Sequence, residues 1–264
     1  MNPLKDVTLV PFDVAGWMVR GSLMDAEASP SPVRIVTLAC IIEHPDGVVV
    51  IDTGVDPSTI QRPPPSDDQA FLDCTPIVPR GTGLVEQLAA TGLTPTDVRF
   101  VINTHLHLDH AGGNRSMPEA TWLVRRAELE YAARPADERQ AQEYPAGIAD
   151  GTDSRWTAYD DDEVIDVFGD GSLTVVPTPG HSPGHQSVLV QLRSGAVLLP
   201  GDAVWTAAMR ASTRLPGLLW DEAAYRSSRR RLDELATSTG ARWLYPHEPE
   251  LFSASGWVEG ARVA

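Results

Sequence analysis

The sequence predicts an α+β fold in which two β-sheets pack together and helices cover their outer faces. Three observations predict it. Two blocks rich in β-branched and apolar residues, 7–51 and 164–199, carry strand patterning. Each is followed by a mixed region where capped helical segments alternate with short apolar strands. No linker-like shift in composition divides the 264 residues, and their 42% hydrophobic content suffices for a full core. The chain therefore reads as a single domain over 1–264.

In the first block the strands are Val7–Phe12, Trp17–Val19, Val33–Ile42 and Val48–Ile51, with Pro45-Asp46-Gly47 turning the last pair. Asp52-Thr53-Gly54 ends the fourth. The stretch 56–80 holds Pro63-Pro64-Pro65 among apolar residues such as Ile60 and Phe71; it is long for a plain connection and reads as a lid or substrate loop. Thr82 caps a helix through Thr91, and Gly92 stops it. Phe100–Ile102 and Trp122–Val124 are short strands, and Arg126–Ala133 is a helix ended by Arg134-Pro135. Residues 134–163 are polar and alanine-rich, without a clear period. Val164–Phe168, Leu173–Val176, Ser187–Leu192 and Ala196–Leu199 follow as strands, the last two joined at Ser194-Gly195. Asp221 caps a long helix to Thr239, Gly240 stops it, and Arg242–Tyr245 is the final strand.

Charge narrows the function. With 36 acidic against 21 basic residues the net charge is −15, which argues against nucleic acid, whose binding runs on phosphate neutralisation. The basic cluster Arg229–Arg231, followed by Asp233 and Glu234, reads as a solvated, salt-bridged helix face. Cys40 lies in an apolar run and reads as a core residue, Cys74 has no partner spacing, and two thiols fit a reducing compartment. The N-terminus lacks a signal-peptide core and no run approaches 18 apolar residues, so the expectation is a cytoplasmic protein without a membrane partner.

Seven histidines carry the chemistry. Three stand in His105-Leu106-His107-Leu108-Asp109-His110, directly after the strand Val101-Ile102. Residues i and i+2 share a face of extended chain but not of a helix, so His105, His107 and Asp109 point one way and a turn must redirect His110. Leu106 and Leu108 anchor the loop on its other side, and Gly112-Gly113 lets the backbone turn tightly. Imidazole and carboxylate donors in one loop suit Zn²⁺. His181, Asp202 and His247 each follow a strand end and a Pro or Pro-Gly turn. Alone, Asp202 would read as a turn former and His185 as a turn residue. Taken together, seven donors are too many for one ion and suit two. His44, beside a turn, reads as solvated.

At these residues the chain resembles the metallo-β-lactamase superfamily. The likeness runs through Asp52-Thr53-Gly54, the loop 105–110, His181, Asp202 and His247. Within that superfamily it is most similar to the N-acyl-homoserine lactonases, in HLHLDHAGGN (105–114), TPGHSPGHQS (178–187) and the segment Trp122–Glu130. The resemblance implies a four-layer αβ/βα sandwich of two mixed sheets. It implies two Zn²⁺, though Fe, Co or Mn fit the same ligands. His105, His107 and His181 would hold one ion, Asp109, His110 and His247 the other, and Asp202 would bridge them. Asp52 and His185 would orient ligand histidines. A hydroxide shared by the metals would attack a lactone carbonyl, with Asp109 passing the proton to the leaving oxygen. The partner is then a small lactone, and a homodimer is compatible with it.

Two positions depart from the family pattern. Trp205 stands where those lactonases carry a tyrosine three residues after the bridging aspartate, and His247-Glu248 replaces His-Asp. Indole donates one hydrogen bond and cannot act as a phenolic acid. These changes bear on the substrate and leave the ligands whole. Trp205, Met18 and Phe71 are the candidate substrate-contacting residues. Another ester, a thioester or a phosphotriester is the rival substrate. An electron-transfer member of the superfamily would carry glutamate at position 107, and a metal-free relative would have lost a ligand.

Overall fold

Alternation along the strands decides the layering. A computed structural model of the chain describes residues 6–56, 74–77, 83–136, 138–145, 147–149, 154–253 and 256–264. One sheet contains β1 (Thr8–Arg20), β2 (Pro32–His44), β3 (Gly47–Ile51), β4 (Cys74–Ile77), β5 (Val98–Ile102), β6 (Thr121–Arg125) and β7 (Trp156–Tyr159), in the order β4-β1-β2-β3-β5-β6-β7. The other contains β8 (Ile165–Asp166), β9 (Leu173–Pro177), β10 (Gln186–Leu192), β11 (Gly195–Leu199) and β12 (Arg242–Trp243), in the order β12-β11-β10-β9-β8. Both sheets are mixed: β3, β5, β6 and β7 pair in parallel, as do β11 and β12, and the other pairs are antiparallel.

On β2, Val36, Leu38, Cys40 and Ile42 enter the core between the sheets, where they meet Val175, Val188, Val190 and Leu199. Ala39 and Ile41 face the opposite way, onto α2 (Leu84–Thr91) through Leu84 and Leu88. On the second sheet Leu189 and Leu198 face outward and meet Leu232 and Ala236 of a long helix, 222–239. Period-2 burial on both faces of both sheets makes four layers, the predicted αβ/βα sandwich. The remaining helices are α1 (Gly21–Met24), α3 (Leu108–Ala111), α4 (Arg126–Ala133), α5 (Glu138–Glu143), α6 (Ala207–Ala211) and α7 (Glu222–Thr239), the last being the long one.

Several expectations need correction. The first two predicted strands are one, because a register shift between Asp13 and Ala15 lets β1 continue past the bulge. Within the predicted lid, 74–77 is an edge strand paired antiparallel with β1; 57–73 and 78–82 lie outside the described residues, so the lid expectation does too. Gly83, not Thr82, occupies the N-cap of α2, without a side-chain cap. Strand β7 and helix α5 emerge from the segment without a clear period, and β8 and β12 are shorter than predicted. His44 is buried, stacked on Phe168 at 3.8 Å, and its Nε2 donates to Asp170 at 3.1 Å. Arg229 turns inward and donates to the carbonyls of Met209, Arg210 and Ser212, closing the end of α6. Among the described residues no helix is long and apolar enough to cross a membrane.

Topology places the site. In the first sheet β3 and β5 run in parallel, so the segments after Ile51 and Ile102 leave from the same edge. In the second, β9 and β11 both oppose β10, and β12 parallels β11, so the segments bearing His181, Asp202 and His247 also leave from one edge. The loop after β9 is pressed against α7. Gly180 has φ +140°, and a Cβ there would lie 2.3 Å from the backbone N and Cα of Tyr225. Gly180→Ala is expected to lose about 1–3 kcal/mol of stability from this overpacking, read as a lower midpoint in denaturant unfolding.

Candidate metal centre

The His105–His110 loop is extended at His107 and helical from Leu108. His107 has φ −63° and ψ 156°, and its carbonyl accepts from the amides of His110 at 3.0 Å and Ala111 at 2.9 Å. The i, i+2 argument therefore holds for His105 and His107, whereas one turn of α3 places Asp109 and His110. Leu106 is fully buried beneath the loop with Val124 and Tyr144.

All seven predicted ligands converge. Among the described residues, three overlapping triads bring their donor atoms within 4.8 Å of one another: His105, His107 and His181; His105, His110 and Asp202; Asp109, His110 and His247. Asp202 divides its carboxylate, with Oδ2 3.2 Å from His181 Nε2 and Oδ1 3.3 Å from His110 Nε2 and 3.1 Å from His247 Nε2. His107 Nδ1 and His181 Nε2 face each other at 3.1 Å. Asp109 Oδ2 lies 3.5 Å from His110 Nε2 and 3.6 Å from His247 Nε2.

Burial sets the charges. It draws His105 well below the ordinary imidazole value, His107 to about 4 and His181 to about 3. The same burial acts on His110 and His247, but there the Asp109 and Asp202 carboxylates outweigh it and raise both. Burial also pushes the two carboxyls up, yet His110 and His247 hold Asp109 at about 2 and Asp202 well below the carboxylate range.

A metal fits this donor set on one structural ground. The buried nitrogens His105 Nε2 and His110 Nε2 and the buried oxygen Asp202 Oδ1 have no hydrogen-bond partner. Groups so placed are costly unless something accepts their lone pairs. Two of the histidines have their far sides already committed. His110 Nδ1 donates to Asp52 Oδ2 at 2.8 Å and His247 Nδ1 donates to the Val36 carbonyl at 2.8 Å, so each Nε2 is free to face the cluster.

Asp52 stands where it was expected. It takes a positive φ of 55° at the end of β3 and also accepts from the Thr104 amide at 2.7 Å and hydroxyl at 2.9 Å. His185 does something different from the expectation. Its Nε2 accepts from the Asp202 amide at 2.9 Å and its Nδ1 donates to the Thr178 carbonyl at 3.0 Å, so it holds the backbone of Asp202 and no ligand histidine. Burial keeps it neutral, at about 3, as that acceptor role requires.

Trp205 is buried beside the cluster, its ring centroid 5.8 Å from His181 and 5.2 Å from His247, with its indole N–H unpartnered. Met18 is half-buried on β1, opposite Arg34 and Thr75. Phe71 lies outside the described residues.

Sequence reasoning missed the residues that hold the loops. Thr53 donates to the His110 carbonyl and to Asn114 Oδ1, and Asn103 and Asn114 bond each other through their amides. Glu128, fully buried on α4, accepts from Leu106 N, Ser182 Oγ and Gly184 N. A signal for it existed: a carboxylate on the helix face shared, at i+3 and i+4, with Tyr131 and Ala132, which pack on the apolar cluster around Leu106. Asp52→Asn must give up one of the acceptor positions now serving Thr104 and His110. We expect about 10–100-fold weaker metal binding, measured by chelator competition.

Known proteins resemble this chain over most of its length. The model of the metallo-beta-lactamase superfamily matches residues 34–241. The N-acyl homoserine lactonase AttM of Azorhizobium caulinodans is 38% identical over 214 residues, 80% of this chain and 81% of that protein. The N-acyl homoserine lactonase of Bacillus cereus is 28% identical over 242 residues, 88% of this chain and 90% of that one. Among solved structures, an N-acyl homoserine lactone hydrolase with the product N-hexanoyl-L-homoserine bound at its catalytic metal center superposes with TM-score 0.83 at 23% identity, over 98% of this chain and 100% of that one. Fold, ligand cluster and a family match over most of the length lead to one assignment: this chain belongs to the metallo-beta-lactamase superfamily.

Proposed function

We propose that this chain is a dinuclear metal-dependent hydrolase that opens the lactone ring of N-acyl homoserine lactones, with zinc as its metal. The observation that carries the proposal is the convergence of seven buried or half-buried donors into overlapping triads, with the two oxygens of Asp202 turned to different ones. The substrate class is supported by relatives that are N-acyl homoserine lactonases at up to 38% identity.

In this reading His105, His107 and His181 would hold one ion and Asp109, His110 and His247 the other, with Asp202 as a ligand available to either. Such a pair, when bound, supplies Lewis-acid polarisation of the ester carbonyl and lowers the pKa of a coordinated water toward ~7. The chain's own residues do the rest. Asp109 has the most exposed side chain of the acid–base set, 22% against 4% for Asp202, so it is the carboxylate that reaches reacting atoms. Held ionised, it accepts a proton from the attacking water and returns it to the ring oxygen as that leaves. His110 and His247 both lie within 3.6 Å of Asp109 Oδ2, in the same triad of donors. Trp205 walls the cluster beside His181 and His247, and its buried N–H has no hydrogen-bond partner in the protein. The proton chemistry therefore falls to Asp109.

Proton release at neutral pH from zinc-loaded protein, over short- and long-chain acyl-homoserine lactones, simple γ-lactones and an aromatic lactone, tests the reading. Fast opening of the acyl-homoserine lactones is expected. Turnover confined to other lactones would move the substrate, and silence across the panel with metal bound would overturn lactone hydrolysis. Asp109→Asn is expected to lower kcat by about 10²–10⁴-fold, the range for a lost general acid–base group, in the same assay. His107→Ala should lose turnover together with part of the bound metal, read by elemental analysis after dialysis.

A further inference from the structure

We infer that Glu128 is the positioning residue for one half of this centre, the His105–His107–His181 half, and that it sets metal affinity there and not at Asp109, His110 and His247. The inference rests on the two-metal reading above.

Glu128 sits in the first turn of α4, outside the motifs that supply ligands, and its carboxylate is fully buried. Oε1 accepts from the amide of Leu106 at 3.0 Å, the residue between His105 and His107. Oε2 accepts from the Ser182 hydroxyl at 2.6 Å and the Gly184 amide at 3.0 Å, on the loop that carries His181. One side chain thus ties together the two loops that supply that triad, one from each sheet. The other half is held by different groups. Asp52 fixes His110, and the Val36 carbonyl fixes His247.

Residue type and packing both fit the role. The Leu106 amide, the Ser182 hydroxyl and the Gly184 amide are all donors, and the Tyr144 hydroxyl lies against the same carboxylate, so the site needs a side chain that accepts on both ends and donates on neither, which only an ionised carboxylate does. The loop also approaches α4 closely. A Cβ on Gly184 would lie 2.3 Å from the Glu128 amide nitrogen and 2.5 Å from its Cβ. With its backbone against that of α4, the loop carrying His181 cannot relax by sliding along the helix, and a change at the carboxylate is passed to His107 and His181, whose ring nitrogens face each other at 3.1 Å.

Glu128→Gln keeps the shape and turns an NH₂ toward a buried N–H or O–H donor. The test is a chelator-competition titration with Zn²⁺ alone on wild type and Glu128→Gln. His181→Ala and His247→Ala mark which binding step belongs to which half, and circular dichroism and the melting temperature report the fold. The expected result is a folded variant that keeps one ion at wild-type affinity and binds the other, the step lost in His181→Ala, about 10–100-fold more weakly. Unchanged binding of both ions, or an equal loss at both, overturns the inference. If Glu128→Gln does not fold, Ser182→Ala removes one donor and leaves the carboxylate. It should weaken the same step several-fold, and no change there also overturns the inference. A wild type that takes up fewer than two ions defeats the two-metal reading itself, and is distinguished by appearing before any substitution is made.

Discussion

The constraint on which the rest depends is the gathering of ionised carboxylates and imidazole lone pairs at one edge of the sandwich, nearly out of reach of water. His105, His107, His110, His181, His247 and Asp202 are all buried, and several of their polar atoms find no protein partner. Burying such groups unpaired is expensive in any fold. The expense is offset only if a cation completes the site, and only if the surrounding chain prevents the ligands from turning away to satisfy themselves. The architecture around them can be understood as meeting that second requirement.

It does so with hydrogen bonds on the far sides of His110, His247 and Asp202. Asp52 and the Val36 carbonyl hold the Nδ1 atoms of His110 and His247, and His185 holds the amide of Asp202. Thr53, Asn103 and Asn114 knit the strand ends after β3 and β5 into one buried polar network. These residues are themselves buried, and the low-dielectric surroundings that make them costly when unpaired also strengthen them when paired. The positive φ of Asp52 belongs to the same economy: a left-handed turn at the end of β3 aims the carboxylate at His110 and Thr104 together.

The two sheets matter because neither supplies enough donors alone. The first contributes His105, His107, Asp109 and His110; His181, Asp202 and His247 follow strands of the second. Packing of Val36, Leu38 and Ile42 against Val188, Val190 and Leu199 sets the sheets face to face and brings the two edges together. Core packing of this density resists small displacements, so the metal centre inherits the rigidity of the hydrophobic interior. Trp205, in contact with histidines at both ends of the cluster, continues that apolar wall to the site.

By itself the sequence determined the donor chemistry and the layering. Seven donor residues after strand ends, and strands with apolar residues on both faces, are local features, and local spacing is enough to read them. Helix α4 ends where the sequence places it because its stop signal, Arg134-Pro135, is also local. Tertiary structure alone decided the pairings. The i, i+2 argument stopped at His107 because the backbone becomes helical there, and His185 serves a backbone amide because β11 delivers Asp202 beside it. Strand β4 exists as a partner for the edge of β1, and His44 is buried because Phe168 and Asp170 arrive from the second sheet's β8–β9 connection. Glu128 stayed hidden because its three donors come from residues 22, 54 and 56 positions away. Residue chemistry is carried by each position in the chain, whereas a hydrogen bond between distant segments exists only once the sheets have brought them together.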